Sequence, residues 1–304
     1  METSCRLGKR NRKESITGIK GRYFSGLFAK LVQEQNPVNL IAASFTTMYN
    51  YLLHLHTYLI IKQKQIADAL SLHKTEEYTR FIILCEPRTG STLLHTYLNY
   101  HLGIKSYGEV LREKVEQQKD ISKEPVKSYV FTKHAKQLKA VGLKMFYSYY
   151  QNPPFDKAFA EVVAMKDVRV IHLIREDVLQ QYVSLVIAKQ TGEWSASKSG
   201  VGNTDTQITI DIEHLKQFGE EYYQKRRLIE NFFAQHPTLT ITYEQLKNET
   251  EAVLKDVQHF LGVKPKKLYT LLQKQNTRPM ERVVQNYTEV RQIVEEMDSK
   301  MKVQ

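Results

Sequence analysis

The chain has 304 residues, 41% of them hydrophobic, enough for one large α/β domain with an appendage. Two cysteines exclude a disulfide framework and point to a reducing cytoplasm. The net charge of +11 suits polyanionic ligands. However, residues 1–30 hold eight Lys and Arg against Glu2 and Glu14, leaving only +5 to the other 274 residues, so nucleic-acid binding by the main domain loses its chief support.

In chain order, a basic tail with a helix start covers residues 1–35. Residues 38–61 contain no Asp, Glu, Lys or Arg, so a membrane anchor has to be weighed. Asn39, Thr46, Asn50, His54 and Thr57 fall on one helical face, which favours an amphipathic helix docked on the protein over membrane association. Residues 67–79 then link a helical extension, 36–77, to the main domain, 78–304. An apolar strand at 81–84 runs into a tight turn, and an apolar helix continues over 92–100. Residues 141–146, 169–174 and 239–242 read as three further buried strands separated by helical segments. This pattern implies a three-layer α/β/α fold of the P-loop-like kind, with a central parallel sheet and an N-terminal helical extension. In such sheets ligands bind beyond the carboxyl ends of the strands. Residues 211–233 form a long helix ended by Pro237, preceded by a Gly/Ser-rich loop at 195–204 that reads as a gate over an acceptor site or as plain disorder.

The turn after the first strand carries the chemistry. Main-chain N–H groups at a helix N-terminus point outward and hold phosphate without a metal. Gly90 allows close approach, Thr89, Ser91 and Thr92 add hydroxyls, and Arg88 adds a fixed charge. The nucleotide-kinase pattern G-x-x-x-x-G-K-[ST] needs a first Gly and a Lys that are missing here.

The segment Pro87-Arg88-Thr89-Gly90-Ser91-Thr92-Leu93-Leu94 resembles the 5′-phosphosulfate loop of sulfotransferases that use 3′-phosphoadenosine 5′-phosphosulfate (PAPS). Val170-Ile171-His172-Leu173-Ile174-Arg175 followed by Ser184 resembles the same family's 3′-phosphate motif, with the Ser nine places after the Arg instead of the usual eight. The late strand and helix at 241–246 and 260–263 extend the likeness over roughly residues 78–290, in a style close to bacterial, carbohydrate and tyrosylprotein members.

This resemblance implies transfer of a sulfuryl group from PAPS, without a metal, to a hydroxyl or in second place an amine of a small metabolite or carbohydrate. It places the cofactor on Arg88, Thr89, Gly90, Ser91, Thr92, Arg175 and Ser184, with Lys274 and Arg278 in the family's last loop. In-line transfer gathers charge on the bridging oxygen, which Arg88 would neutralise. Glu109, in Tyr107-Gly108-Glu109, matches the base of tyrosylprotein members, although it could equally pair with Arg112 or Lys114 on a solvated face. His95, His101 and His134 are the reserve bases, Lys144 could face the cofactor, and Tyr147-Ser148-Tyr149-Tyr150 could line a ring site or pack a strand end. A P-loop kinase or nucleoside triphosphatase and a non-enzymatic polyanion-binding protein are the competing readings.

Overall fold

The computed structural model describes residues 37–71, 73–192, 194, 207–270, 272 and 278–301. The basic tail, the Gly/Ser-rich loop at 195–204 and Lys274 therefore lie outside the described residues. The chain divides into two units, Met1–Leu55 and His56–Gln304.

The second unit is built on a five-stranded parallel sheet. Its strands are β2 (Thr79–Cys85), β3 (Ile104–Ser106), β5 (Ala140–Phe146), β6 (Arg169–Ile174) and β7 (Thr238–Thr242), in the order β3-β5-β2-β6-β7. A two-residue pair, β1 (Lys74–Thr75) with β4 (His134–Ala135), lies apart from it. Alternate residues of the central strands enter opposite layers, as the pleat requires. Ile82, Leu84, Leu143 and Val170 pack with Phe159, Ile229 and Phe233 of α5 (Asp156–Ala164), α7 (Ile212–Phe232) and its C-cap. Phe81, Ile83, Ile171 and Ile241 pack with Leu94 and Leu98 of α2 (Ser91–Tyr100) and with Leu254 and Val257 of α9 (Thr250–Phe260). The three layers expected from the sequence are present. Strand β3 was not expected, because three residues at a sheet edge carry too little apolar pattern to read.

Close backbone approach fixes Gly142 on β5: a Cβ there would lie 2.2 Å from the Phe81 carbonyl oxygen of β2. The chain leaves β2 toward β5 and β3 on one side and returns to β6 and β7 on the other. The carboxyl end of β2 is therefore the topological switch point, where doubly wound sheets open a crevice.

One continuous helix, α1 (Pro37–Leu70), begins in the first unit and ends in the second. Among the described residues no helix is long and apolar enough to cross a membrane. Within the second unit α1 docks through Ile60, Lys64 and Asp68. Lys64 donates to the carbonyls of Asn99 (2.6 Å) and Ile104 (2.9 Å), and Asp68 accepts from Lys105 (2.6 Å) and the Ala135 N–H (2.9 Å). Docking is thus largely polar, because the end of α2 offers carbonyls without helical partners. The apolar side chains Met48, Leu52 and Leu55 of the first unit are exposed, and in the second unit Leu59 is exposed, so the expectation of a helix turned apolar-side inward fails for Leu59.

Candidate active site

Strand β2 ends at Cys85, whose thiol burial pushes up to about 11, leaving a packed neutral group. The chain then turns through Glu86 to Gly90 into α2. Thr89 Oγ1 donates to the Glu86 carbonyl (2.8 Å), closing the turn. Arg88 and Gly90 adopt positive φ, 68° and 85°. Gly90 is required twice, since its φ disfavours a side chain and a Cβ would lie 2.5 Å from Cδ2 of Tyr243. The loop's main chain passes close under the Tyr243 ring and enters α2 with Ser91 and Thr92 in its first turn. Burial also lifts the carboxyl of Glu86 to about 7.

The 3′ motif folds onto the same loop. Arg175 follows β6 and is 7% exposed, its guanidinium stacked 4.5 Å from the centre of the Tyr243 ring. It donates from Nη1 to the Arg88 carbonyl (2.9 Å) and from Nη2 to Gln180 Oε1 (2.7 Å), while its buried Nε has no hydrogen-bond partner among the described residues. Asp177 caps α6 (Val178–Thr191) by accepting from the Gln180 N–H at 2.7 Å. That cap sets the second turn so that Ser184 Oγ accepts from Arg88 Nε at 2.9 Å. The ninth-place Ser thus reaches the loop. Gln181 of the same helix donates to the Pro87 carbonyl at 2.9 Å. The Arg88 guanidinium also donates to the Trp194 carbonyl (2.5 Å), and burial, with the nearby charge of Arg175, pushes its pKa down.

A third group faces the first turn of α2. Lys144, 3% exposed on β5, donates to Thr92 Oγ1 (3.1 Å) and to Glu109 Oε1 (2.8 Å), and Arg112 approaches the other oxygen of Glu109 (3.5 Å). Glu109 therefore makes the pairing with Arg112 foreseen for a solvated face and, besides it, a half-buried one with Lys144. Each reserve histidine has partners of its own, and His95 packs against Gly108 beside Glu109. His95 contacts Ser106 Oγ (2.7 Å) and is pushed down to about 4 by burial and the charges of Lys144 and Lys64. His101 contacts the Lys264 carbonyl and the Gly103 N–H, and His134 lies between Asp68 and the Val130 carbonyl.

In the tyrosine run Tyr149 stacks on Phe155, Tyr150 meets Phe159 and Phe232, and Tyr147 bonds to His172, while the buried Tyr149 hydroxyl has no hydrogen-bond partner among the described residues. Arg278 is half-buried after the undescribed segment. Sequence reasoning passed over Tyr243, Gln180 and Gln181. The first had a usable signal, since Thr242 and Gln245 form a capping box that fixes where α8 (Tyr243–Asn248) starts. Among the described residues no cluster of three or more His, Cys, Asp or Glu could hold a metal ion.

A phosphate-type loop at the switch point of a parallel sheet, with a buried arginine stacked beside it, defines an α/β enzyme of the nucleotide-binding kind. Residues 127–289, more than half of the chain, match the family model of the Stf0 sulphotransferases, and the chain belongs to that family. It is a sulfotransferase enzyme. It is 26% identical over 230 residues to nodulation protein H of Rhizobium meliloti strain 1021, covering 72% of this chain and 92% of the relative. It is 27% identical over 231 residues to nodulation protein H of Rhizobium tropici, covering 72% and 91%. Among solved structures, a sulfotransferase from Alicyclobacillus acidocaldarius aligns over 74% of this chain and 96% of its own at 12% identity, TM-score 0.45. A mouse sulfotransferase complexed with PAP aligns over 67% and 65% at 15% identity, TM-score 0.40.

Proposed function

We propose that this sulfotransferase takes its sulfuryl group from PAPS and delivers it to a hydroxyl, in second place an amine, of a small metabolite or carbohydrate. The observation that carries the reading is the meeting of two arginines at one loop: Arg175 buried with an unused Nε, and Arg88 bonded to Ser184. A buried donor without a partner is costly unless a ligand engages it. A nucleotide with phosphate at both 5′ and 3′ positions supplies acceptors at both ends of the constellation. Five of the expected groups, Thr89, Gly90, Ser91, Thr92 and Ser184, offer main-chain N–H or hydroxyl, and the other four are the guanidinium groups of Arg88, Arg175 and Arg278 and the ammonium of Lys274, so the donor set fits phosphate and sulfate.

In this reading the N–H groups of Thr89, Gly90, Ser91 and Thr92, with the hydroxyls of Ser91 and Thr92, hold the 5′-phosphosulfate, and the Thr89 hydroxyl closes the turn beneath them. Arg175 and Ser184 hold the 3′-phosphate, and Lys274 and Arg278 add charge from the last loop. Arg88 turns from Ser184 toward the bridging oxygen as negative charge collects there. Lys144 orients the carboxylate of Glu109, which takes the proton of the acceptor hydroxyl as the S–O bond to that hydroxyl forms and the S–O bond to the leaving phosphate breaks. The products are a sulfate ester and adenosine 3′,5′-bisphosphate. Residues 78–304 would carry this activity, with 36–77 as the extension and 1–35 as the tail.

A thermal-shift measurement tests the donor. Adenosine 3′,5′-bisphosphate should raise the melting temperature without magnesium, in proportion to ligand over its dissociation constant, and ATP with magnesium should not. The reverse pattern would overturn the reading. Mass spectrometry of an acceptor screen with isotopically labelled PAPS then identifies the acceptor class.

A further inference from the structure

Helix α1 carries a second pattern that neither sulfate transfer nor docking uses. Positions 38, 41, 45, 48, 52, 55, 59, 62, 66 and 69 advance by alternating steps of three and four, and all but Lys62 are apolar. This is a heptad repeat sustained over 32 residues of one continuous helix. Where side chains are described the stripe is exposed: Met48, Leu52, Leu55, Leu59 and Ile66 are each between 44% and 56% exposed. Ile60, Lys64 and Asp68, which dock α1 within the second unit, belong to other heptad positions.

The period decides what covers the stripe. A straight α-helix drifts by about 20° per heptad against a strict 3.5-residue repeat, so a flat surface such as lipid would lose the stripe over four heptads. Only another helix wound around α1 keeps it covered. The flanking heptad positions decide which helix. Tyr49, Tyr51, His56, Tyr58, Gln63 and Gln65 contain no Lys, Arg, Asp or Glu, so the charge pairs that select a different partner are missing and nothing repels an identical one. Lys62 decides orientation. Parallel copies would bring it against its own equivalent, whereas an antiparallel pairing in which the two residue numbers add to 107 sets position 62 opposite 45, 59 opposite 48 and 55 opposite 52. Every heptad position then meets another, and no lysine meets a lysine. A 34-residue helix is ~51 Å long, and a contact strip ~10 Å wide gives ~1,000 Å² over both copies, about the size at which stable interfaces begin.

We propose that the exposed heptad stripe of α1 joins two copies of this chain in an antiparallel two-stranded coiled coil. Sedimentation velocity of the full-length chain at micromolar concentration should give twice the 35.5 kDa chain mass. The double variant Leu52→Glu/Leu59→Glu should sediment as a monomer, with unchanged far-ultraviolet circular dichroism and an unchanged thermal shift with adenosine 3′,5′-bisphosphate. A monomeric parent, or a variant that stays dimeric, would overturn the proposal. So would a parent that sediments as a monomer and floats with phosphatidylserine vesicles while the variant does not. For orientation, Met48→Cys and Leu59→Cys chains in a Cys5→Ser background should cross-link on oxidation only when mixed. Cross-linking of either alone would mean parallel helices and overturn the antiparallel form.

Discussion

Buried charge occurs at both ends of the sheet, and the two ends treat it differently. At the amino edge Lys64 donates to three carbonyls, and Asp68 is met by Lys105, His134 and the Ala135 N–H. Against burial, those donors hold the Asp68 carboxyl at about 2. At the carboxyl edge Arg175 keeps one buried donor unused, and Arg88 donates to the Ser184 hydroxyl and the Trp194 carbonyl. Closed networks tie elements together, whereas donors left for a ligand cost stability until the ligand arrives. Substitution at the two edges should therefore separate activity from stability.

The largest effect expected is on turnover from Arg88→Ala. Losing a charge matched to the transition state lowers kcat by about 10³-fold, about 4 kcal/mol, with a small change in melting temperature. Single-turnover assays check this, and a loss under about threefold would remove Arg88 from the leaving-group role. Glu109→Gln should lower kcat by about 10²-fold while leaving cofactor affinity nearly unchanged. The amide oxygen still accepts from Lys144, so basicity is tested more than packing. A smaller defect on a phenol than on an aliphatic alcohol is the second readout. Arg175→Ala should weaken adenosine 3′,5′-bisphosphate by about 2 kcal/mol, within the range of a charged hydrogen bond, and barely affect adenosine 5′-phosphosulfate. Equal losses in calorimetric titration would mean general disruption. At the closed edge the pattern inverts: Lys64→Met should cost about 2 kcal/mol in urea unfolding by leaving carbonyls without a donor, with kcat of the folded variant unchanged.

The same contrast explains what could be read in advance. The four main strands were legible because each is a short apolar run between helical segments, and the turn holding Arg88 and Gly90 because strand, turn and helix start follow one another directly, whereas Glu109 was picked out through resemblance. Arg175 and Ser184 were legible only through resemblance, since their meeting with residues 86–92 depends on β6 lying beside β2. The pairing of Lys144 with Glu109 spans 35 residues and was invisible locally. Tyr243 was missed because its ring acts on Gly90 and Arg175 across the sheet, which periodicity cannot reveal. The polar docking of α1 was missed because an uncharged stretch ending in Lys64 and Asp68 gives no hint that those two charges, beside the single apolar Ile60, make the contact.

The smallest effect sharpens the comparison through acid. Burial holds His95 and His172 at about 4, so each is neutral in the fold near pH 6. In the unfolded chain each titrates near 6.5, so between about 6.5 and 4 the unfolded state binds more protons and stability falls as pH drops. Burial raises Glu86 to about 7, and this acts in the opposite direction. Above about 4.3 the unfolded carboxyl has lost its proton while the folded one keeps it, so Glu86 adds stability as pH falls through that window. Burial also lowers His101 and His236, which act in the same sense as His95 and His172, so the histidines outweigh the Glu86 carboxyl and stability falls as pH drops from about 6.5 toward 4.5. Urea unfolding at closely spaced pH values measures the slope. Glu86→Gln removes the opposing group and should make it steeper, whereas His172→Phe should flatten it. A parent profile that is flat or rises toward acid would mean that these groups are not buried in the protonation states their surroundings impose.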